Sequence, residues 1–365
     1  MTGSTAPDAA DADLAEALRP AGLERAANGS GRLSGVAGRI ASVPVTLFGL
    51  LLVTFLIGHA LPTDPVLAIV GDHAPPEVVA RTRAALGLDH PLWMQFATWL
   101  RHLMHGDLGR SVMTQRPVLT DIARFFPPTL ELATAALLLA LAAGVPLGVL
   151  AAARAGRWSD RIVRVIALLG QSVPVFVLAL LFLLLFYARL GWAPGTGQIG
   201  VGFDGAVPRR TGMLVLEAAL AGNWPAWRDA LAHLALPALV LGIYTLGIIA
   251  RMTRGFMLDA LASDYVAAAR ARGIPWRRIL WRHAFPNVAV PLITVVALAY
   301  AGLLEGAVLT ETVFSWPGLG LYFSVSLLSA DMNAVLGATL VVGAVYVGLN
   351  LLADLAYRLF DPRVR

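Results

Sequence analysis

The sequence predicts an all-α, polytopic membrane protein with six transmembrane helices, and three observations carry that prediction. Hydrophobic residues make up 58% of the 365-residue chain, and its mean hydropathy is +0.71, too apolar for a soluble globular chain of this size. Six apolar runs have the length a hydrocarbon core asks of a helix, about 20 residues. Arginines gather at the ends of these runs. Each run is expected to be helical, because backbone N–H and C=O groups in lipid must bond within the segment.

Residues 1–38 are rich in Ala, Gly, Asp and Arg and hold no run of spanning length. They read as a flexible cytoplasmic tail with one short helix near residues 14–18. The first apolar run starts too far from Met1 to read as a signal peptide. The spans follow at 41–61, 129–153, 162–187, 230–250, 288–309 and 334–355. Residues 39–127 therefore comprise the first span and an extracytoplasmic segment. Residues 128–357 form the core of spans with a cytoplasmic loop at 251–285, and 358–365 form a cytoplasmic end.

The arginines orient this bundle. Arg25, Arg32 and Arg39 precede the first span, and Arg154, Arg157, Arg161 and Arg164 fill the short loop after the second. Seven more, at 251, 254, 270, 272, 277, 278 and 282, lie between spans four and five, and Arg358, Arg363 and Arg365 close the chain. The stretch 310–333 carries no basic residue. Basic residues stay on the cytoplasmic side, which puts both termini and the loops after spans two and four there. The net charge of +5 thus reflects topology and contact with a lipid bilayer, with no call for nucleic acid.

Composition also excludes chemistry. The chain has no cysteine, so disulfides, thiolate metal sites and thiol nucleophiles are out. All 28 basic residues are arginine. A Walker A loop needs a lysine to reach the terminal phosphates, so any ATP that drives this protein is hydrolysed by another chain. No Ser/His/Asp arrangement or carboxylate pair stands out for an enzyme. His102, His105 and Asp107 could share one helix face, but a fourth ligand is missing and they read as solvated polar residues.

The loop 251–285 is more ordered than a plain connection needs to be. Ser263 is placed to cap a helix that runs through Arg272. Gly273 suits the left-handed position after a helix end, and Pro275 the start of a second helix over 275–283. Ala267, Ala268, Ala269 and Ala271 make the first helix narrow enough for another surface to approach closely. From the residues alone, docking of a cytoplasmic partner and an interfacial helix on anionic lipid are equal readings.

The segment resembles the cytoplasmic EAA loop of bacterial ABC-importer permeases. Gly273 and Pro286 keep its spacing and Ala268 and Ala269 match its alanines, while Ala267 stands at the glutamate position, His283 at the isoleucine and Phe285 at the leucine. Asp264-Tyr265-Val266 with Ala269-Arg270-Ala271-Arg272-Gly273 is similar to the DYV-x-x-ARAKG form of peptide permeases. Further motifs follow the family order. They are Gly106-Asp107-Leu108-Gly109-Arg110-Ser111, Pro128-Thr129-Leu130-Glu131-Leu132, Gly144-Val145-Pro146-Leu147-Gly148, Ser172-Val173-Pro174-Val175-Phe176, 311–320 (ETVFSWPGLG) and 350–357 with 361–365. The resemblance runs from about Val45 to Arg365, to the first of two permease subunits of a dipeptide, oligopeptide or nickel importer.

That resemblance implies the type I ABC importer permease fold in the bacterial inner membrane. It implies import of a small solute, foremost di- or oligopeptides. The implied partners are a second homologous permease subunit, two ATPase domains that bind ATP and Mg, and an extracytoplasmic solute-binding protein; no cofactor is expected in this chain. It assigns ATPase coupling to Asp264, Tyr265, Ala267, Ala268, Ala269, Arg270, Ala271, Arg272, Gly273, Pro275 and Arg278. The substrate pathway is expected near Glu305, Glu311, Ser172 and Pro174, with Glu305 and Glu311 forming an acidic patch that meets a cationic solute group. Glu305 can equally sit at the headgroup level. An ion-gradient-driven secondary transporter is the rival reading; it calls for ionisable groups at helix centres, and Glu131 and Glu305 lie near span ends. Gly144 and Gly148 should let a neighbouring helix approach, and Pro146 and Pro174 should bend spans two and three. Trp93, Trp99, Trp192, Trp224 and Trp227 should anchor the outer interface.

Overall fold

In the computed structural model, residues 31–60, 65–71 and 73–360 are described; the expectations for residues 1–30 and 361–365 lie outside them. The helices are α1 (Gly31–Ala60), α2 (Pro65–Val70), α3 (Pro76–Ala85), α4 (Leu92–Met104), α5 (Val118–Ala153), α6 (Trp158–Ser172) and α7 (Val175–Phe182). They continue as α8 (Leu214–Leu220), α9 (Trp224–Leu261), α10 (Asp264–Ala271), α11 (Trp276–Arg278), α12 (Phe285–Val313), α13 (Leu319–Leu328) and α14 (Met332–Phe360). No strand occurs among the described residues, only one isolated bridge between Arg110 and Pro117.

The chain divides into two compact units, up to Phe48 and from Gly49 onward. The described part of the first is helix. Residues 31–38 are therefore helical rather than tail, because α1 starts at Gly31, ahead of its apolar stretch Val43–Ile57. In the second unit, α5, α9, the continuous stretch Trp276–Val313 and Met332–Ala353 are each long and apolar enough to cross a membrane. The third predicted span is not one helix. α6 and the α7 stretch, extended by a wide π-type coil to Arg189, meet at a 97° bend. Pro174 stands at the break: it lacks an N–H, and Val173 before it is extended at φ −92°, ψ 126°. Pro146 has no such effect, since α5 runs as one helix from Val118 to Ala153.

α5 and α9 are the central pair, and glycines set their spacing. A Cβ on Gly144 would lie 3.1 Å from the Ile249 side chain, and one on Gly148 2.6 Å from Thr253 Cβ and 2.7 Å from the Ala250 carbonyl. The expected close approach is thus made by α9. Leu132, Ala133, Ala136, Leu234, Ala238 and Leu241 fill the seam, with Leu303, Leu304 and Ala307 of α12 against it.

The link from α12 to α13 is knotted by one carboxyl group. Ser315 turns the chain at φ 48°, and Trp316 N bonds back to the Glu311 carbonyl at 2.8 Å. Trp316 is fully buried and its Nε1 donates to Pro128 O at 2.9 Å. Thr129 Oγ1 donates to Glu311 Oε1 at 2.6 Å and accepts from Leu319 N at 2.8 Å. Glu311 Oε2 accepts from Leu321 N at 2.9 Å, so the side chain caps α13 from the preceding helix. A Cβ on Gly318 would sit 2.3 Å from Glu311 Cδ.

On the opposite side of α13, the Gly106–Ser111 turn is tied to the start of α14. Ser111 Oγ donates to the fully buried Asp331 at 2.5 Å, Met113 N does so at 3.2 Å, and Asn333 Nδ2 donates to Arg110 O at 3.1 Å. Buried Asp121 accepts from Thr114 Oγ1 and, at 3.4 Å, from the Tyr322 hydroxyl. These ties explain why α5 starts eleven residues before its apolar run. Trp99 corrects the anchor expectation: it is buried against Leu51, Phe55, Phe96 and Leu336. Trp93, Trp192 and Trp224 are exposed, and Trp227 is half-buried.

Gly318→Ala should destabilise the protein by at least the roughly 1–3 kcal/mol of an overpacked core, because the clashing neighbour is itself buried and hydrogen-bonded. The expected outcome is a melting temperature lowered by a few degrees in detergent; an unchanged melting curve would contradict the packing described.

Candidate coupling segment and substrate path

α10 forms where the sequence places it, with different capping. Ser263 holds the extended N-cap conformation, φ −77°, ψ 151°, but its hydroxyl donates back to Asp259 O at 3.2 Å and caps nothing. The other end is a full Schellman closure. Ile274 N reaches Ala269 O at 3.2 Å, Gly273 N reaches Arg270 O at 2.9 Å, and Gly273 stands at φ +74°. Ile274 packs on the cluster formed by Val266, Ala269 and Ile279, the apolar contact that accompanies this motif.

The second short helix expected over 275–283 is instead the beginning of the fifth span. Pro275 is its N-cap at φ −56°, and helix runs without interruption from Trp276 to Val313, loosening to a π-type coil over Ile279–Ala284. The Arg270 guanidinium stacks over the Trp276 ring at 4.2 Å from its centroid, a cation–π contact that pins α10 to this helix.

One face of α10 is thereby fixed and the other left open. Val266 and Ala269 point inward. Asp264, Tyr265, Ala267, Ala268, Arg270, Ala271, Arg272, Gly273, Pro275 and Arg278 are all exposed. Of the residues assigned to coupling, only Ala269 belongs to the inner face.

A charge clamp lies just behind this segment, and sequence reasoning missed it. Arg254 of α9 donates from Nε to Asp160 Oδ1 at 2.6 Å and from Nη2 to Asp160 Oδ2 at 3.0 Å. Gly156 N adds a third bond to Asp160 at 2.9 Å, and Arg164 Nε lies at 3.6 Å. Asp160 is 1% exposed. The available signal was a lone acid among four arginines in the loop 154–164.

The residues expected on the substrate path do not converge. Glu305 is exposed on α12, whereas Glu311 is fully buried in the α13 capping network, so the two form no acidic patch. Six residues on a helix separate them by 600°, which places them on different faces. Ser172 and Pro174 are exposed at the break, with Ser172 Oγ donating to Leu168 O at 2.7 Å. Thr134 and Tyr300 meet through their hydroxyls at 3.0 Å. Among the described residues no group of three or more His, Asp or Glu can hold a metal. His105 Nδ1 lies 2.8 Å from Arg101 O, and Asp107 accepts from Gly109 N at 2.8 Å.

The loop before α8 has its own anchor. Arg210, Thr211 and Gly212 all donate their N–H groups to Glu217 Oε1, while Glu131 of α5 accepts from Leu214 N and Val215 N at the start of α8. Burial works against ionisation of Glu217, but the N–H groups of Thr211, Gly212 and Arg210 outweigh it and hold its carboxyl below the ordinary value of 4.5.

Several helices long and apolar enough to cross a membrane, with an exposed polar segment between two of them, make the architecture of a multi-pass membrane protein. Residues 144–365 match the family described as "Binding-protein-dependent transport system inner membrane component", and residues 33–133 match its N-terminal counterpart. The chain belongs to this family. It is 46% identical over 316 residues to the probable D,D-dipeptide transport system permease protein DdpB of Escherichia coli (strain K12), covering 87% of this chain and 93% of that protein. It is 39% identical over 330 residues to the dipeptide transport system permease protein DppB of the same strain, covering 90% and 97%. Against DppB of Alkalihalophilus pseudofirmus the figures are 37% over 323 residues, 88% and 96%. The protein is therefore a multi-pass membrane permease component of an ABC importer, and ATP is hydrolysed by separate subunits. The secondary-transporter reading is set aside.

The Glu217 anchor predicts a pH dependence. A carboxyl that ionises at lower pH in the folded state stabilises fully above its unfolded value, and that contribution is lost as pH falls through the folded one. Hydrogen exchange at the amides of residues 210–212 should accelerate as pH drops below about 4, after correction for intrinsic rates. Glu217→Gln should show no such step.

Proposed function

We infer that this permease carries di- and oligopeptides into the cytoplasm, and that residues 264–278 are where an ATPase subunit docks. The carrying observation is the two-sided construction of α10. Its inner face, Schellman closure and Arg270–Trp276 stack make it rigid, and its outer face of small and basic residues is left bare. A lipid-bound helix needs a broad apolar outer face, whereas the exposed residues of α10 mix Asp264, Arg270 and small alanines with a single large ring, Tyr265. The peptide class is supported by the dipeptide permeases to which the chain is similar over most of its length.

In this reading the working unit contains a second homologous permease, two ATPase domains with bound ATP and Mg, and an extracytoplasmic binding protein. Both termini and the loops after spans two and four lie in the cytoplasm, as their arginines favour. ATP closes the ATPase pair, α10 is carried with it, the bundle opens outward to receive solute, and hydrolysis resets it. The binding protein supplies most of the affinity; this chain supplies a pathway and a lever. Glu305, exposed on an apolar helix, lines that pathway, because an acid facing lipid is costly.

Cysteines introduced at Ala268 or Ala271, in a chain that has none, should crosslink to cysteines on the docking face of the ATPase. Failure at every exposed position from 264 to 278 would overturn the docking reading.

Vesicles holding the full complex should take up dipeptides only with ATP and the loaded binding protein. Glu305→Gln should reduce uptake of a lysyl dipeptide more than that of a neutral one. Equal effects on both would remove Glu305 from the pathway, and absent dipeptide uptake would overturn the solute class.

A further inference from the structure

We propose that the Asp160–Arg254 pair is the joint that passes a displacement of the docking segment into the broken third span, which makes both of them positioning residues for transport. The inference rests on the reading of residues 264–278 as the ATPase seat.

The chain of contacts is short and stiff. α9 runs unbroken from Arg254 to Leu261, about two helical turns, and α10 begins at Asp264. A push on α10 therefore reaches Arg254 across the two-residue turn Ala262–Ser263 and the last turns of α9. From Arg254 it crosses to Asp160, in the first turn of α6, through two bonds of 2.6 and 3.0 Å. The bond from Gly156 N to the same carboxyl couples in the loop that ends α5.

α6 is built to follow α9 as a body. A Cβ on Gly247 of α9 would lie 2.8 Å from the Ala167 carbonyl, and one on Gly170 of α6 would lie 3.0 Å from the Ile243 carbonyl. Each glycine faces a backbone carbonyl of the other helix, so the two helices pack closely and little free space is left to absorb the motion. At its far end α6 stops at Val173–Pro174, where the chain turns by 97° into α7. Gln171 Nε2, beside this break, is buried with no hydrogen-bond partner. A buried donor left unpaired marks a packing that a second arrangement of the break can relieve.

Charge at this joint serves geometry more than stability. A buried ion pair is no more stabilising than well-packed neutral residues of similar size. What the guanidinium adds is a planar fork that fits a carboxylate in one orientation only. A bidentate pair with a third backbone bond fixes the angle of α6 on α9 in a way a neutral contact cannot, and a lever needs that angle.

The test uses the complete importer in vesicles, with uptake of a neutral dipeptide and ATP hydrolysis measured together. Asp160→Asn combined with Arg254→Gln leaves no buried charge and keeps a hydrogen bond between the two positions. This variant should assemble with its ATPases and hydrolyse ATP, while solute moved per ATP falls by about tenfold, the scale of a coupling free energy between two sites. The parental ratio in that variant would overturn the proposal and leave the pair a structural contact. If the neutral pair does not assemble, Arg254→Lys decides, since it keeps the charge and loses the fork: a lowered ratio supports the joint and a parental one overturns it. Crosslinking from a cysteine at Ala268 in the same vesicles separates the two readings. A retained crosslink with lost coupling is the expected result. No crosslink even without the clamp substitutions would overturn the docking reading, and the joint with it.

Discussion

The carboxyl group of Glu311 sits where α5, α12 and α13 meet and binds all three together. It is fully buried and has no arginine beside it; its partners are a threonine hydroxyl and a backbone N–H at the start of a helix. A buried acceptor without partners costs more than a hydrogen bond returns, so each of its two oxygens commits a different element. Oε1 takes the hydroxyl of Thr129 on α5, and Oε2 takes the N–H of Leu321 on α13, while Glu311 itself belongs to α12. Removing any of the three leaves a polar group stranded in an apolar core. The glycines at 318 and 320 follow from this geometry, because a Cβ at either would fall within 3 Å of the carboxyl oxygens. Trp316, completely buried with its Nε1 on Pro128 O, closes the apolar side of the same knot.

Around Glu311 the elements are joined by short polar bonds, and beyond α13 Ser111 is tied to Asp331 and Arg110 to Asn333 at the start of α14. At the arginine-rich end the Asp160–Arg254 fork and the Arg270–Trp276 stack join the apolar clusters around Met257 and under α10. The break at Pro174 stands at the end of α6 opposite Asp160.

The arginines illustrate how one residue type does several jobs. As a group they cluster at the ends of the apolar runs, the pattern on which the expected orientation rests. Individually they differ. Arg254 is committed to a buried carboxylate, Arg270 lies on an indole ring, and Arg272 and Arg278 are exposed. Spacing along the chain cannot distinguish these roles, because Asp160 lies 94 residues from Arg254 and only the packing of α6 on α9 brings the two together.

What the sequence determined by itself was everything set by local chemistry and by the solvent. Apolar runs long enough for a bilayer had to be helical, and the described part of each predicted span is, the third as two helical pieces about a break. Gly273 and Pro275 had to end one helix and start the next, because left-handed backbone and a missing N–H leave few alternatives. The narrow alanine face of α10 and the glycine approach at Gly144 and Gly148 were legible for the same reason. The tertiary structure alone decided matters that turn on distant partners. It made Glu311 a buried cap instead of a pathway acid, because Thr129 and Leu321, from elsewhere in the chain, satisfy it. It merged the expected second coupling helix into the fifth span, since no break in apolar packing stops the helix that Pro275 begins. It buried Trp99 against Leu336 and broke the third span by 97° at a proline whose effect depends on the neighbours that fill the bend. Periodicity and propensity describe a residue's own few turns of chain, whereas the fate of a buried polar group is settled by whichever element folds against it.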